Sequence, residues 1–272
     1  MKDSVWVAAD IHRIRFFWNS GPVGMIQHND FWDLVCQKVN VYRGDVSGTT
    51  TNIINLDDGR EIPTDILLCG TGWDSTYPFL SSTQKVELGL PHEPCKDSDE
   101  ECRSWSELMD TADRQILQQY PILGRPPPDC KPIGGAGLTP ARLYNGIASL
   151  TDSSILFLGR ARMSNNFRGA EAQAIWATAY LDGNVTIPPL KQAKREVAYM
   201  NAFSRRRYPS RGVDGLNFHT DLVWYTDKLL CEAGMRSHRK GWWEDPDEPC
   251  LASDFEDCKE EYMAVYGSKQ GR

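Results

Sequence analysis

The sequence predicts an α/β fold, with a β-meander in its N-terminal third and helices in its C-terminal half. Two apolar runs, at residues 66–69 and 154–159, show no polar alternation, which is typical of strands buried on both faces. The first run breaks into Gly70-Thr71-Gly72, where glycines without a Cβ permit a sharp turn and the close approach of another group. Because open α/β sheets place ligands at such strand ends, this loop is a candidate binding loop.

The β-meander is predicted from short segments that precede the first apolar run. Asp57-Asp58-Gly59 is a strong hairpin signal, since Asp and Gly tolerate the left-handed backbone that tight hairpins need. The predicted elements are a helix at 29–36 capped by Asn29 or Asp30, strands at 39–42, 53–56 and 61–62, and turns at 48–51 and 57–59.

Helical periodicity dominates the remainder of the chain. Ser104 and Glu107 fit a capping box that would open a helix ending before Pro121. A loop rich in proline and glycine follows at 124–140 and could shape or cover a substrate entrance. The further predicted helices are 169–181 with Gly183 at its end, 191–207 with a basic C-terminus, and 219–233 with Leu222, Val223, Leu229 and Leu230 facing inward.

Composition and charge exclude several classes of function. The net charge of −7 disfavours binding to nucleic acid, because a phosphate backbone requires a basic surface. No run of eighteen apolar residues or secretory signal is recognisable, so we expect no membrane span and a cytoplasmic location. Of the eight cysteines, Cys36 and Cys69 lie in apolar runs and are expected in the core. Without a Cys-x-x-Cys pair, we expect no zinc site.

Two motifs resemble the flavin-containing monooxygenase family, in fungal form. The segment DILLCGTGW at 65–73, followed by Pro78-Phe79-Leu80, is similar to the family's "D-hydrophobic-A-T-G-Y/W … P-F-L" segment. The second apolar run, followed by EAQAIW at 171–176, resembles the family's last core strand and its "E-x-Q-A-x-W" helix. The order and approximate spacing agree across residues 25–235.

The resemblance implies an incomplete doubly wound FAD/NAD(P)-binding fold and a cofactor site built from both loops. Independently, a polar loop before a helix start is suited to an anion or a dipole. The alternative is that Asn165 or Asn166 only caps the helix and that Gln173 lies on the surface. The residues that the resemblance places near FAD are Thr71, Gly72, Asn165, Asn166 and Gln173, with Glu171 beside them.

The family's glycine-rich loops for FAD and NADPH are both absent from this sequence. Gly70-Thr71-Gly72 lacks the third glycine, since Ser75 occupies that position, and the glycines at 134–137 follow prolines instead of a strand. The chain therefore resembles only the C-terminal half of a monooxygenase. By resemblance, residues 1–64 would be a remnant of the NADPH side, 65–242 half of the FAD domain, and 243–272 a partly disordered acidic tail.

Two functions remain open from the sequence. The resemblance implies an FAD- and NADPH-dependent monooxygenase that oxygenates a small organic substrate through a flavin hydroperoxide, so that the cofactor carries the chemistry. The alternative is a non-catalytic homologue, or a subunit that needs a partner chain or a second copy to supply the glycine-rich loops. The basic cluster at 205–207 could bind the extra phosphate of NADPH, although a solvated helix end is the preferred interpretation. His219 is interpreted as a cap or a packed residue.

Overall fold

The computed structural model describes Trp18 and residues 30–70, 77–128, 137–240 and 252–267. The chain separates into two compact units, and the boundary lies between Tyr77 and Pro78, with Trp18 belonging to the second unit. Helices and a small antiparallel sheet together make this a mixed α and β protein. The domain boundaries that the resemblance implies, after residues 64 and 242, stay a prediction.

The first unit contains a helix and a three-stranded antiparallel meander. Helix α1 is Phe31–Lys38, and the strands are β1 Val46–Thr50, β2 Ile53–Leu56 and β3 Glu61–Pro63, in the order β1-β2-β3. The register pairs Thr49 with Ile54 and Ile54 with Ile62, which places β-branched residues opposite one another. The predicted hairpin turn at 57–59 is confirmed.

The predicted strand at 39–42 and the predicted turn at 48–51 are wrong. Residues 39–42 are irregular and exposed, and the sheet begins at Val46. The chain turns instead at Thr51 and Asn52, and Asn52 has a φ of 60°. The Val-Tyr alternation at 39–42 has no partner strand, whereas the threonines at 49 and 50 pair with β2.

The first apolar run is not the buried strand that its sequence predicts. Ile66 is 77% and Leu68 88% exposed, and residues 66–70 pair with no described strand. A strand buried on both faces needs neighbours on both sides, and the meander leaves none beside this segment. Cys36 and Cys69 are exposed, so their predicted core positions are wrong as well. Thr71 and Gly72 lie outside the described residues.

The second unit is built from six α-helices in the described ranges, joined by short 3₁₀ turns. They are α2 Ser82–Leu88, α3 Asp99–Gln119, α4 Asn166–Leu181, α5 Leu190–Arg207, α6 Leu222–Glu232 and α7 Cys258–Tyr266, with 3₁₀ turns at Pro94–Lys96, Pro121–Gly124, Gly212–Asp214 and Ala252–Phe255. Helix α3 packs on α5, and α4 packs on α6. None of the helices in the described residues is both long and apolar enough to cross a membrane.

Helix α3 starts six residues before its predicted start. Its N-cap is Ser98, whose hydroxyl accepts a hydrogen bond from the Glu101 backbone N–H, so the predicted cap at Ser104 is wrong. Asp99, Glu100 and Glu101 fill its first turn, where carboxylates stabilise the positive end of the helix dipole. The helix ends at Gln119, before the proline at 121, as predicted.

Small residues allow α3 and α5 to pack closely. Trp105 of α3 lies in a core cluster with Val197 and Ala198 of α5, and Ile116 lies in a neighbouring cluster with Ala202. At the C-terminus of α5, Arg205 is exposed as expected of a solvated helix end, whereas Arg206 is half-buried and Arg207 is buried. Arg205 and Arg206 both pair with Asp113 on α3, and Arg207 is buried and pairs with Asp221.

The second apolar run also fails to form the predicted strand. Within residues 154–159 only Leu156 makes a β-bridge, to Ala148, and Leu158 is 51% exposed. The segment has no flanking strand among the described residues, so its backbone cannot form a ladder. Helix α4 begins near the predicted position, and Gly183, with a φ of 74°, follows its end as predicted.

The C-terminal helices differ from prediction in two respects. Val223 on α6 is 48% exposed, whereas Leu222, Leu229 and Leu230 are buried as predicted. Residues 252–267 are not disordered, because α7 buries Cys258, Tyr262 and Tyr266. These side chains recur at helical spacing and form one apolar stripe, which the acidic composition of the segment conceals. Residues 241–251 and 268–272 of the predicted tail lie outside the described residues.

His92, Asp97 and Arg142 form a buried ion cluster, which connects the turn before α3 to the chain segment near residue 142. Arg142 donates two hydrogen bonds to the Asp97 carboxylate, of 2.9 and 2.6 Å, and His92 Nε2 lies 2.9 Å from Asp97 Oδ1. The side chains of Asp97 and His92 are each 1% exposed. Burial acts to raise the pKa of Asp97, but the hydrogen bonds from Arg142 and His92 outweigh it and hold that pKa below 3.8.

We expect Asp97→Asn to lower the free energy of unfolding by about 3 kcal/mol at neutral pH, because it leaves the buried Arg142 charge uncompensated. Urea unfolding followed by circular dichroism measures this change. Because the pKa of Asp97 is depressed on folding, its contribution is present above pH 3.8 and is lost as the pH falls through the lower folded value. The difference between variant and parent should therefore shrink in acid.

The matched control is Asp58→Asn, which removes the carboxylate of the exposed pair with Arg60. Exposed pairs are screened by water and contribute little, so this variant should unfold like the parent. An equally small effect for Asp97→Asn would contradict a structural role for the buried cluster.

Candidate functional site

The candidate site is the N-terminal end of helix α4 together with the loop that leads into it. Residues 159–165 form this loop, which starts at Gly159 with a φ of 76°. The backbone N–H of Arg162 donates to Leu216 O at 2.9 Å, and Phe218 N–H donates to Arg162 O at 2.9 Å. The segment at 216–218 therefore fixes the middle of the loop.

Asn165 is the N-cap of α4, and its side chain accepts a hydrogen bond from Arg168 N–H at 3.2 Å. The backbone N–H groups of Asn166 and Phe167 donate to no described residue. Free N–H groups at the start of a sixteen-residue helix sit at the positive end of the helix dipole. This end is therefore chemically suited to a carbonyl oxygen or an anion.

Arg168 adds a buried positive charge to the same helix end. It is 5% exposed, donates from Nη2 to Thr226 Oγ1 at 2.8 Å, and lies over the Phe255 ring at 4.4 Å. Its Nη2 is 3.7 Å from Asp227, and its Nε is buried without a hydrogen-bond partner. The guanidinium is thus only partly neutralised, which reinforces the positive potential at this site.

Gln173 lies inside the protein, so the alternative that placed it on the surface is wrong. It is fully buried, its Oε1 accepts from Gly159 N–H at 2.8 Å, and its Nε2 donates to the Tyr225 hydroxyl at 2.9 Å. Gln173 therefore holds the first residue of the loop against helix α6. Glu171, two residues earlier, is exposed.

The hydrogen bonds of Gln173 continue into a polar network. The Tyr225 hydroxyl donates to Asn145 O at 2.8 Å, and Asn145 Nδ2 donates to Glu232 Oε2 at 2.6 Å. Trp176 Nε1 donates to the same Glu232 oxygen at 2.8 Å. Two residues of the EAQAIW segment, Gln173 and Trp176, thus join one network and hold helix α4 in place.

Tyr144 and Lys228 complete the network around Glu232. The Tyr144 hydroxyl lies 3.0 Å from Glu196 Oε2 and 3.1 Å from Glu232 Oε1, while Lys228 pairs with Glu232 and donates to Asn145 Oδ1 at 2.7 Å. Burial, followed by the charges of Glu232 and Glu196, raises the pKa of Tyr144. The hydroxyl therefore stays protonated and donates to these carboxylates.

The structure brings together only part of the predicted site. Asn165, Asn166 and Gln173 all lie in the first turns of α4, whereas Thr71 and Gly72 lie outside the described residues. Sequence reasoning missed Asn145, which has a φ of 51° and is fully buried. Its Asn-Gly dipeptide is a turn signal that could have marked the position.

Sequence reasoning also missed Arg168 and Glu232, which have no distinguishing sequence pattern. His219 was interpreted as a cap or packed residue, and its buried Nε2 forms no hydrogen bond. Burial, followed by the charge of Arg211, lowers the pKa of His219. The neutral form of His219 is therefore favoured.

Comparisons with curated proteins identify relatives in fungi. The chain is 32% identical to the FAD-dependent monooxygenase resA of Aspergillus sclerotiorum, over 82% of this chain and 40% of the relative. It is 31% identical to the FAD-dependent monooxygenase rstn6 of Aspergillus nomiae over the same shares. It is 29% identical to the FAD-dependent monooxygenase DEP4 of Fusarium langsethiae, over 92% of this chain and 44% of the relative.

No protein-family model matches the chain, and no solved structure matches it. The chain spans about 40% of the length of the first curated relatives. The resemblance inferred from the two motifs is confirmed: this chain is related to part of the fungal proteins named FAD-dependent monooxygenases.

We expect Gln173→Leu to lower the free energy of unfolding by about 2 kcal/mol, because it removes both hydrogen bonds of a fully buried amide, one to the Gly159 N–H and one to the Tyr225 hydroxyl. Chemical denaturation gives this value. The control is Gln192→Leu on α5, where the exposed amide donates to Glu196 Oε1 at 3.1 Å and a change below about 0.5 kcal/mol is expected. Equal losses in the two variants would show that Gln173 does not support the loop.

Proposed function

We propose that this chain is part of an FAD-dependent monooxygenase that oxygenates a small organic substrate with NADPH as the reductant. The observation that carries the proposal is its similarity to fungal relatives, which are 29–32% identical and named FAD-dependent monooxygenases. FAD would supply the oxygenation chemistry, through the flavin hydroperoxide that the resemblance implies, and the protein would bind and orient it.

The chemistry of the N-terminal end of helix α4 favours a cofactor site there. The free N–H groups of Asn166 and Phe167 suit the electronegative edge of a flavin, and Arg168 adds positive charge beside them. We propose that Asn165 and Asn166 lie near the flavin. Gln173 would not contact the flavin; it would position the loop by accepting a hydrogen bond from the Gly159 N–H. Thr71 and Gly72 would approach the cofactor from the first loop, as the resemblance implies.

The pyrophosphate of FAD needs a glycine-rich cradle that this sequence does not contain. We therefore propose that a further chain segment, a partner chain or a second copy completes the doubly wound fold. The exposed apolar residues at 66–68 support this idea, because strands of a completing part would bury them. The leucine at 158, 51% exposed after the second apolar run, fits the same explanation.

A second candidate function is that of a non-catalytic homologue. It is favoured by the absence of both glycine-rich loops from the sequence. In that case the helical unit would fold without binding FAD under any condition, and the motif residues Gln173 and Trp176 would serve stability alone.

Visible absorption after dialysis against FAD separates these proposals. We expect the purified chain alone to stay colourless, and co-expression with the unmatched part of the resA relative to give a yellow complex that NADPH bleaches. Colour in the chain alone would mean that it binds FAD unaided or as an oligomer. A colourless protein in both preparations would contradict the monooxygenase proposal.

Gly72→Val tests the first loop within the same experiment. A β-branched side chain restricts the turn that the glycine pair indicates, so we expect flavin retention to fall by at least about tenfold, which corresponds to about 1.4 kcal/mol. The control is Gly48→Val in β1, where an added Cβ meets no atom within 4 Å. Unchanged flavin retention in Gly72→Val would remove this loop from the site.

A further inference from the structure

A pocket with aromatic walls lies where the C-terminus of α3, the C-terminal half of α5 and the start of α6 meet. Its volume is about 480 Å³, which is within the range of small-molecule sites. Tyr120, Tyr199, Phe203 and Trp224 form its walls. The rings of Tyr120 and Phe203 meet edge to face at 6.1 Å, and Phe203 and Trp224 lie 6.3 Å apart.

These aromatic walls are open to solvent. Tyr120 is 40% exposed, Trp224 46%, and the adjoining Ile122 55%. Apolar side chains are thus exposed together at one concave place, and concave sites lined by aromatic side chains are typical of small-molecule binding. Because the rings are inclined to one another, a planar ligand could contact one ring by stacking and another edge to face.

The lining also contains a charged pair with an unused acceptor. Asp221 Oδ2 accepts from the Tyr208 hydroxyl at 2.5 Å and lies 3.3 Å from Arg207 Nε. No described residue donates a hydrogen bond to Asp221 Oδ1, and the Asp221 side chain is 26% exposed. The pocket therefore combines apolar walls with an oxygen atom that can accept a hydrogen bond from a guest.

We propose that this pocket binds a planar, fused-ring aromatic molecule that carries a hydroxyl group, with the rings against Phe203 and Trp224 and the hydroxyl donating to Asp221. A neutral donor fits better than a cation, because the Asp221 carboxylate is already balanced by Arg207. An anion is disfavoured by the same carboxylate. None of the residues of the α4 end lines this pocket, so the inference does not rest on the proposed monooxygenase function.

The test uses the whole chain without FAD or NADPH and two probes that differ only in the donor. We expect 2-naphthol to bind, as measured by calorimetry and by saturation-transfer NMR. We expect 2-methoxynaphthalene, which keeps the rings but lacks the O–H, to bind about tenfold more weakly, because hydrogen bonds to charged groups are the stronger ones. Absent binding of 2-naphthol, or equal affinity for both probes, would overturn the proposal.

Ile122→Trp localises the binding by filling the pocket from an exposed position, so the fold should be retained. We expect this variant to bind 2-naphthol at least tenfold more weakly than the parent. The matched control is Leu181→Trp, at a residue on α4 that is 63% exposed and does not line the pocket; it should bind like the parent. Unchanged affinity in Ile122→Trp, with circular dichroism showing a native fold, would overturn the assignment to this pocket.

Discussion

The arrangement of the helical unit depends on the hydrogen bonds that the Glu232 carboxylate accepts. It receives hydrogen bonds from the turn at 144–145 and from Trp176 of α4, and it pairs with Lys228 on its own helix. A buried polar network is costly unless each member is satisfied. Here the carboxylate has donors on both of its oxygens, so three separate chain segments are held in one relative position.

This constraint determines how the candidate site is presented. Gln173 links the Tyr225 hydroxyl to the Gly159 N–H, and through them the loop before α4 is tied to the same network. The helix end, with its free N–H groups and the buried Arg168, is therefore positioned by these hydrogen bonds. Two residues of the EAQAIW segment, Gln173 and Trp176, therefore stabilise the position of helix α4 and of the loop that precedes it.

How far the sequence predicts this structure depends on whether the determining contacts are local. The hairpin at 57–59, the end of α3 and the glycine after α4 follow from local rules, and the structure confirms them. The runs at 66–69 and 154–159 were predicted as buried strands on hydropathy alone, but strands require partners that hydropathy does not supply. Asn145, Arg168 and Glu232 were missed because their roles arise from contacts between distant segments, and α7 was missed because acidic residues surround its apolar stripe.

The Glu232 network orders the helical unit, whereas the apolar segment at 66–70 pairs with no strand among the described residues. Hydrogen–deuterium exchange tests both the order of the helical unit and the lack of strand pairing at 66–70. We predict slow exchange for peptides covering 141–148 and the helix of Trp176, and fast exchange at 66–70 that slows when the completing part of a relative is added. Fast exchange at 141–148, or protection of 66–70 in the chain alone, would contradict the account.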